Sequence, residues 1–506
     1  MTLNRTRTAL VLSIIIIAVL FRFSQLSDRP MHGDEAINAM KLAEVMEAGR
    51  FDYNPHQHHG PIFYYTSALF AVVRGLLWDI QEFNEFFLRG ITAFVGLILI
   101  WLTFGFWKSL KNDVVLFAAG LMAISPSLIF YSRYFIHEIF VVTMTFEFMV
   151  GIYQYLKTKK QSWLILSGLV LGGIMATKET WPIIVSSMLG AYAILHYKNG
   201  LRIKIPLKKI LFVIGIAFGL VFLFFSDFLQ DIPNSTDFFS AFSPYMYRVA
   251  DEGIHNQPWY YYLNILFPFG YSWNSLHWAE GILFIAFLLN LRIKNQPLIV
   301  NFLFWYSLIL LVILSIIPYK TPWNLLGVMP GVILVATYTI YHVFENPILR
   351  YGVIGVLSGL IFLQAFSYNI MNEADQNNPH VYAHPTKDIL TIESKIYDVA
   401  DQVDVSVFII AMDDDYWPFP WYLRHLDNVG YWNHVPQNAR NASIILISPD
   451  LEKELVNVLY EEAGPGELSL FLPLFDEPME LRHSVEILCY IKKDIYDTYM
   501  NRINNE

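Results

Sequence analysis

The segment Arg29-Pro30-Met31-His32-Gly33-Asp34-Glu35-Ala36 sets two adjacent carboxylates beside an imidazole. Further along come His56, His58, His59, Gly60 and Pro61. A carboxylate near a membrane surface is a candidate general base, because partial desolvation raises its proton affinity toward the working pH. Asp34 and Glu35 are therefore the candidate catalytic residues. Carboxylate plus imidazole can also hold a divalent ion, which makes Asp34, Glu35 and His59 candidate ligands of a metal cofactor. The competing reading is a solvated loop with ordinary charges.

Three further clusters carry ionisable groups. Tyr131-Ser132-Arg133-Tyr134 runs into His137-Glu138, and the planar fork of Arg133 suits a phosphate group. Thr177-Lys178-Glu179-Thr180 forms the second. In Pro318-Tyr319-Lys320-Thr321-Pro322-Trp323, prolines on both sides stiffen the turn that carries Lys320. Each has a plainer alternative: a snorkelling arginine, an isolated ion pair, a headgroup anchor.

These groups need elements to hold them, and the composition says which kind. Of 506 residues, 55% are hydrophobic and 15% charged, against about 25% charged in soluble domains; mean hydropathy is +0.41. Charge is uneven: residues 372–506 hold 24 Asp/Glu against 9 Lys/Arg, whereas residues 1–371 hold 25 Lys/Arg against 20 Asp/Glu. A lone cysteine, Cys489, excludes an intrachain disulfide. The scattered basic residues leave no nucleic-acid footprint.

A spanning helix needs about 20 mostly apolar residues. Such runs lie near 8–26, 87–107, 113–131, 135–156, 162–178, 181–197, 209–226, 279–291, 298–317, 323–343 and 351–371. The first, behind Arg5 and Arg7, reads as an uncleaved signal anchor. Residues 62–77, interrupted by Arg74, read as an amphipathic interfacial helix. With the N-terminus cytoplasmic, one side collects Lys108, Lys111, Lys157, Lys159, Lys160, Lys198, Arg202, Lys204, Lys208, Lys209, Arg292, Lys294 and Arg350, as the positive-inside rule requires. All four ionisable clusters then meet at the extracytoplasmic face. That is the pattern of a site at the lipid–water boundary, whereas transporters place charges nearer the midplane. The fold class expected is an α-helical polytopic membrane protein of about eleven spans (residues 1–371, with an extracytoplasmic loop 27–86). It carries a small extracytoplasmic α/β domain (372–506), with strand-like runs at Val405–Met412 and Ser443–Ile447.

The motifs quoted above, with His59-Gly60-Pro61, Lys178-Glu179, Pro420-Trp421-Tyr422-Leu423-Arg424 and Asn428-Val429-Gly430-Tyr431-Trp432, resemble the GT-C superfamily of membrane glycosyltransferases. The likeness is to the protein O-mannosyltransferase and aminoarabinose transferase type, and within it to the flippase-activity-associated subfamily of archaeal-type N-glycosylation. It covers nearly the whole chain. It implies a cell-membrane enzyme that takes a sugar from a polyprenyl-phosphate donor, of the dolichyl phosphate mannose kind. The acceptor would be an extracytoplasmic glycan, lipid or protein. Asp34 would be the base or acceptor-positioning group, and Arg133 and Lys320 would lie near the donor phosphate. His59, His137, Glu138, Lys178 and Glu179 would complete the substrate site. The alternative is a non-enzymatic or transport-associated component of lipid-linked oligosaccharide translocation.

Overall fold

A computed structural model describes residues 5–55, 57–75, 82–107, 109–199, 205–243, 253, 255–268, 278–462 and 468–503. His56, Lys108, Arg202 and Lys204 lie outside the described residues. Each of the eleven apolar segments holds a helix. In chain order the helices are α1 (Arg5–Phe23), α2 (Gly33–Ala48), α3 (Ile62–Arg74), α4 (Glu85–Leu102), α5 (Asn112–Ile124), α6 (Pro126–Ser132) and α7 (Glu138–Thr158). Then come α8 (Gln161–Met175), α9 (Trp181–Asn199), α10 (Leu207–Phe225), α11 (Ala279–Leu289), α12 (Leu298–Ile316), α13 (Met329–Val343) and α14 (Pro347–Phe366). Among the described residues six helices are long and apolar enough to cross a membrane: α1, α4, α7, α10, α12 and α14. A seventh crossing is formed if α5 and α6 act as one. The protein is a multi-pass membrane protein.

α5 and α6 meet at a 55° bend, and the sequence explains it. Pro126 has no N–H to give to Met122, so the helical ladder stops there and restarts with proline at the first position of α6. Apolar surroundings cannot satisfy the freed backbone groups. Arg22, buried at the end of α1, donates to Met122 O (3.2 Å) and Ala123 O (3.0 Å). Glu280 of α11 accepts from Ser127 N (3.3 Å) and from the hydroxyls of Ser125 and Ser127. One cation and one carboxylate therefore close the break from opposite sides.

After α14 the chain continues into α15 (Asp388–Ala400) and a sheet of β1 (Val407–Ile410), β2 (Val429–Trp432), β3 (Ile444–Ile447), β4 (Phe471–Pro473), β5 (Met479–Arg482) and β6 (Val485–Lys492). The order is β2-β1-β3-β6-β4, with β5 on the other half of β6. β1 is parallel to β2 and β3, and β6 runs antiparallel. The two strand-like runs read from the sequence are β1 and β3. Ile389, Ile392, Ile396 and Val399 of α15 are fully buried, at the spacing of a helix with one apolar face. The aromatic stretch after β1 docks this domain on the membrane part. Met31 N donates to Tyr422 Oη (2.7 Å), Trp421 Nε1 to Glu85 (2.7 Å) and Arg424 to Phe83 O (3.1 Å).

Candidate active site

The loop between α1 and α2 is organised by the start of α2. His32 is its N-cap: Asp34 N donates to His32 Nδ1 (3.0 Å), and Glu35 reaches back to accept from His32 N (3.1 Å). This is a capping box with histidine in place of serine or threonine. Because Nδ1 accepts, the ring proton sits on Nε2, which donates to Tyr382 O (3.0 Å). Burial lowers the His32 imidazole further below its usual range, so it is neutral. Asp34, 3.9 Å from His32 Nδ1, therefore has no ion-pair partner there.

Two consecutive carboxylates end in opposite surroundings. The Asp34 side chain is 51% exposed and Glu35 is 0% exposed. Glu35 accepts from Arg89 Nε and Nη2 (both 2.8 Å), Phe135 N (2.9 Å) and, at 3.4 Å, Arg29. Burial alone would raise this carboxyl; the charges of Arg89 and Arg29 and the hydrogen bonds outweigh it and hold it down at about 2. Glu35 is thus a structural ion-pair centre, which corrects its expected catalytic role. The three residues expected to hold a metal are not brought together: Glu35 lies outside the cavity that Asp34 and His59 line, and among the described residues no cluster of three or more His, Cys, Asp or Glu able to hold a metal occurs.

Two expected phosphate cations are likewise engaged elsewhere. Arg133 donates to Phe21 O (2.8 Å) and Gln25 O (3.1 Å), capping the end of α1, and lines a small chamber with Arg29 and Arg89. Lys320 is buried, and its ammonium donates to Ile317 O (2.6 Å) and Gln257 O (2.8 Å). Its neighbours Tyr319 and Thr321 face the cavity; Lys320 does not.

That cavity has a volume of about 510 Å³, within the range of small-molecule sites, about 300–1,000 Å³. Asp34 and Asn38 of α2 form part of its wall, with His58 and His59. His137 and Glu138 at the start of α7 and Lys178, Glu179 and Thr180 between α8 and α9 form another. Lys178 is ion-paired with Glu138. His59 Nδ1 lies 2.7 Å from Glu179 Oε2, and Tyr53 Oη donates to Glu179 Oε1 (3.1 Å). Gly60 makes this meeting possible: its N–H donates to Thr177 O (3.2 Å), and a Cβ there would collide with the carbonyl of Ala176. The cavity continues into a narrow groove of about 50 Å³, where Val141, Val142, Ile184 and Leu310 provide apolar walls between α7, α9 and α12.

Six of the residues anticipated from sequence, Asp34, His59, His137, Glu138, Lys178 and Glu179, therefore share one cavity. Sequence reasoning missed Arg89, Tyr53 and Asn38. Arg89 had a signal: an arginine just inside an apolar run is costly unless paired. Asn38, which accepts from Tyr64 Oη (2.8 Å) and donates to Phe135 O (3.1 Å), had none.

The family profile of dolichyl-phosphate-mannose-protein mannosyltransferases matches residues 58–226, the stretch that carries His59, Arg133, His137, Glu138, Lys178 and Glu179. No curated protein sequence matches the chain. Among solved structures, ArnT from Cupriavidus metallidurans in the apo state is similar at 12% identity and a TM-score of 0.67, over 96% of this chain and 98% of that one. The same protein bound to undecaprenyl phosphate gives 13% and 0.65, over 95% and 98%. The oligosaccharyltransferase AglB from Archaeoglobus fulgidus, with an inhibitory peptide and a dolichol-phosphate, gives 10% and 0.53, over 89% and 70%. Together these likenesses show that the chain has the fold of the GT-C glycosyltransferase superfamily.

Proposed function

We propose that the protein is a glycosyltransferase that moves a sugar from a polyprenyl-phosphate donor to an extracytoplasmic acceptor, with its N-terminus in the cytoplasm. The observation that carries this reading is one cavity with an exposed carboxylate, Asp34, in its wall, a lysine, Lys178, also lining it, and an apolar groove leading on from the lysine. Such a site matches a donor with a reacting sugar, an anionic phosphate and a hydrocarbon tail. ArnT binds undecaprenyl phosphate and AglB a dolichol-phosphate on the same fold, which supports a donor of this class.

Asp34 accepts the acceptor's proton as the new glycosidic bond forms. Its place in the first turn of α2 holds it on a rigid element. Lys178, shared with Glu138, holds the phosphate by charge. The transport reading is less well supported: the charges at the α5–α6 bend bond to backbone groups and do not line the cavity. The test is Asp34→Asn in purified protein supplied with a short-chain polyprenyl-phosphate hexose. Donor turnover is expected to fall by about 10²–10⁴-fold, with the thermal unfolding midpoint unchanged. Undiminished turnover removes Asp34 as the base.

A further inference from the structure

We infer that His59 and Glu179 form an imidazole–carboxylate dyad that gives a proton to the departing lipid phosphate. The inference rests on the proposed glycosyl transfer and assigns its leaving-group side. Lys178, the cation expected at the phosphate, is already ion-paired with Glu138, so it neutralises the departing charge only in part. A departing phosphate oxygen is stabilised further by a proton, and the cavity wall offers candidates in its histidines.

The wall carries His58, His59, His137 and His255; His255 Nδ1 is engaged with Tyr382 Oη (2.8 Å), and His59 is the one of the four seen bonded to a carboxylate. Its Nδ1 is 2.7 Å from Glu179 Oε2, and the second Glu179 oxygen accepts from Tyr53 Oη at 3.1 Å. The Glu179 carboxylate takes the Nδ1–H and fixes the ring's orientation, so the proton that His59 gives, entering the step as the imidazolium, is the one on Nε2, on a side chain that lines the cavity. Two features hold the pair together: the contact of Gly60 with Thr177 and Ala176, and the hydrogen bond from Tyr53. His58 is a poorer donor: burial, with Lys41 and His59 nearby, pulls it down to about 4, so it is neutral. His137 packs against the rings of Phe63 (4.2 Å) and Tyr64 (5.4 Å), and its Nε2 has no hydrogen-bond partner. It stands 4.9 Å from His59, ring to ring.

The step balances as follows. The acceptor oxygen bonds to the anomeric carbon and its proton passes to Asp34. The bond from that carbon to the phosphate oxygen breaks, and its electron pair stays on the oxygen. The Nε2 proton of His59 moves to that oxygen, and the lipid monophosphate leaves. Water in the cavity returns a proton from Asp34 to His59. Glu179 is a positioning residue; it touches neither substrate nor reacting atom.

A double-mutant cycle tests the dyad, with a short-chain polyprenyl-phosphate hexose as donor and water as acceptor. His59→Gln is expected to lower kcat by about 10²-fold, and Glu179→Gln by about tenfold with little change in KM. In the His59→Gln background, Glu179→Gln is expected to cost nothing more, whereas Glu179→Asp in the native background keeps most of the activity. An equal loss from Glu179→Gln in both backgrounds, or a change in KM alone, overturns the dyad. If Glu179→Gln fails to fold, Tyr53→Phe replaces it, removing one bond to Glu179 and leaving the carboxylate. Binding of a sugar-free short-chain polyprenyl phosphate is read alongside; equal binding by the native protein and His59→Gln overturns the placement of His59 at the phosphate. If the native protein consumes donor and Asp34→Asn does not, an additive cycle sinks the dyad alone. If neither consumes donor, the transferase reading falls with it.

Discussion

The end of the helical bundle that carries the start of α2 has two charged regions, a cavity and a buried knot beside it, and the boundary runs between Asp34 and Glu35. In the knot, Glu35 receives Arg29 and Arg89, and Arg89 also donates to Leu26 O (2.6 Å) and Arg29 O (2.8 Å). Arg133 and Arg22 donate to carbonyls at the end of α1 and at the α5–α6 bend. These cations serve carbonyls that helix ends and loops leave without N–H partners at a place where water is scarce. In the cavity the pairs join different loops, Lys178 to Glu138 and His59 to Glu179, and Asp34 stays exposed. Ionisable residues that gather at one membrane face therefore do not constitute one site. What separates them is whether the backbone has already used their hydrogen bonds.

Exchanging the consequences of the two carboxylates is the sharpest way to break this comparison, and the largest effect belongs to the knot. Glu35→Gln leaves Arg29 and Arg89 buried without a counter-charge, a loss of about 3–5 kcal/mol by analogy with other broken buried pairs. Thermal unfolding in detergent is expected to move sharply downward, while donor turnover per folded molecule is largely retained. The pH dependence has a definite sign. The Glu35 carboxyl is held below its usual range, so its stabilisation is complete at neutral pH and is lost as pH falls toward about 2. Asp34→Asn is expected to do the reverse, costing turnover and leaving stability alone. Equal stability losses from the two substitutions would erase the distinction.

Gly60→Ala probes the cavity through its scaffold. The added methyl meets the Ala176 carbonyl, and overpacking of this kind costs about 1–3 kcal/mol. The loop carrying His59 must move away from the turn carrying Glu179. Donor turnover is therefore expected to fall about tenfold, less than for His59→Gln. Combined with His59→Gln, the glycine change should add little to the loss of turnover. A full multiplicative loss would mean that Gly60 supports the cavity by some route other than His59.

Much of the frame was legible because hydropathy and period are properties of segments. Each of the eleven apolar runs holds a helix, and one of them breaks into α5 and α6; Ile62–Arg74 became the short helix α3, and two apolar runs in the tail became β1 and β3. The direction of a single side chain is a different kind of information. Adjacent residues on a helix point about 100° apart, so Asp34 and Glu35 look alike in sequence and face different surroundings. The stiff turn and the family resemblance point Lys320 toward a lipid-linked phosphate, yet the same turn presents the Ile317 and Pro318 carbonyls to its ammonium. Arg133 was assigned to phosphate by its chemistry, which serves equally for the carbonyls of Phe21 and Gln25. The pairing of His59 with Glu179 depends on two loops meeting at Gly60, a long-range contact that no local pattern reports.

The smallest expected effect lies where the tail domain meets the membrane part and tests whether that contact belongs with the knot. Glu393, on α15, is pushed up to about 7 by burial and by the charge of Glu85, against the pull of Arg424. Glu85 also accepts from Trp421, which anchors the domain. The folded state thus holds the Glu393 proton more tightly than the unfolded chain. Its contribution favours folding below the ordinary carboxylate range and is lost as pH rises through about 7. Glu393→Gln keeps the group neutral and should flatten the fall in unfolding midpoint between about pH 5 and about pH 8. The docked contact would then be strongest in mild acid, whereas the Glu35 knot is weakened by acid. A variant whose midpoint follows the native profile across that range would place the Glu393 proton outside the docking energetics and leave Trp421 and Tyr422 to hold the domain.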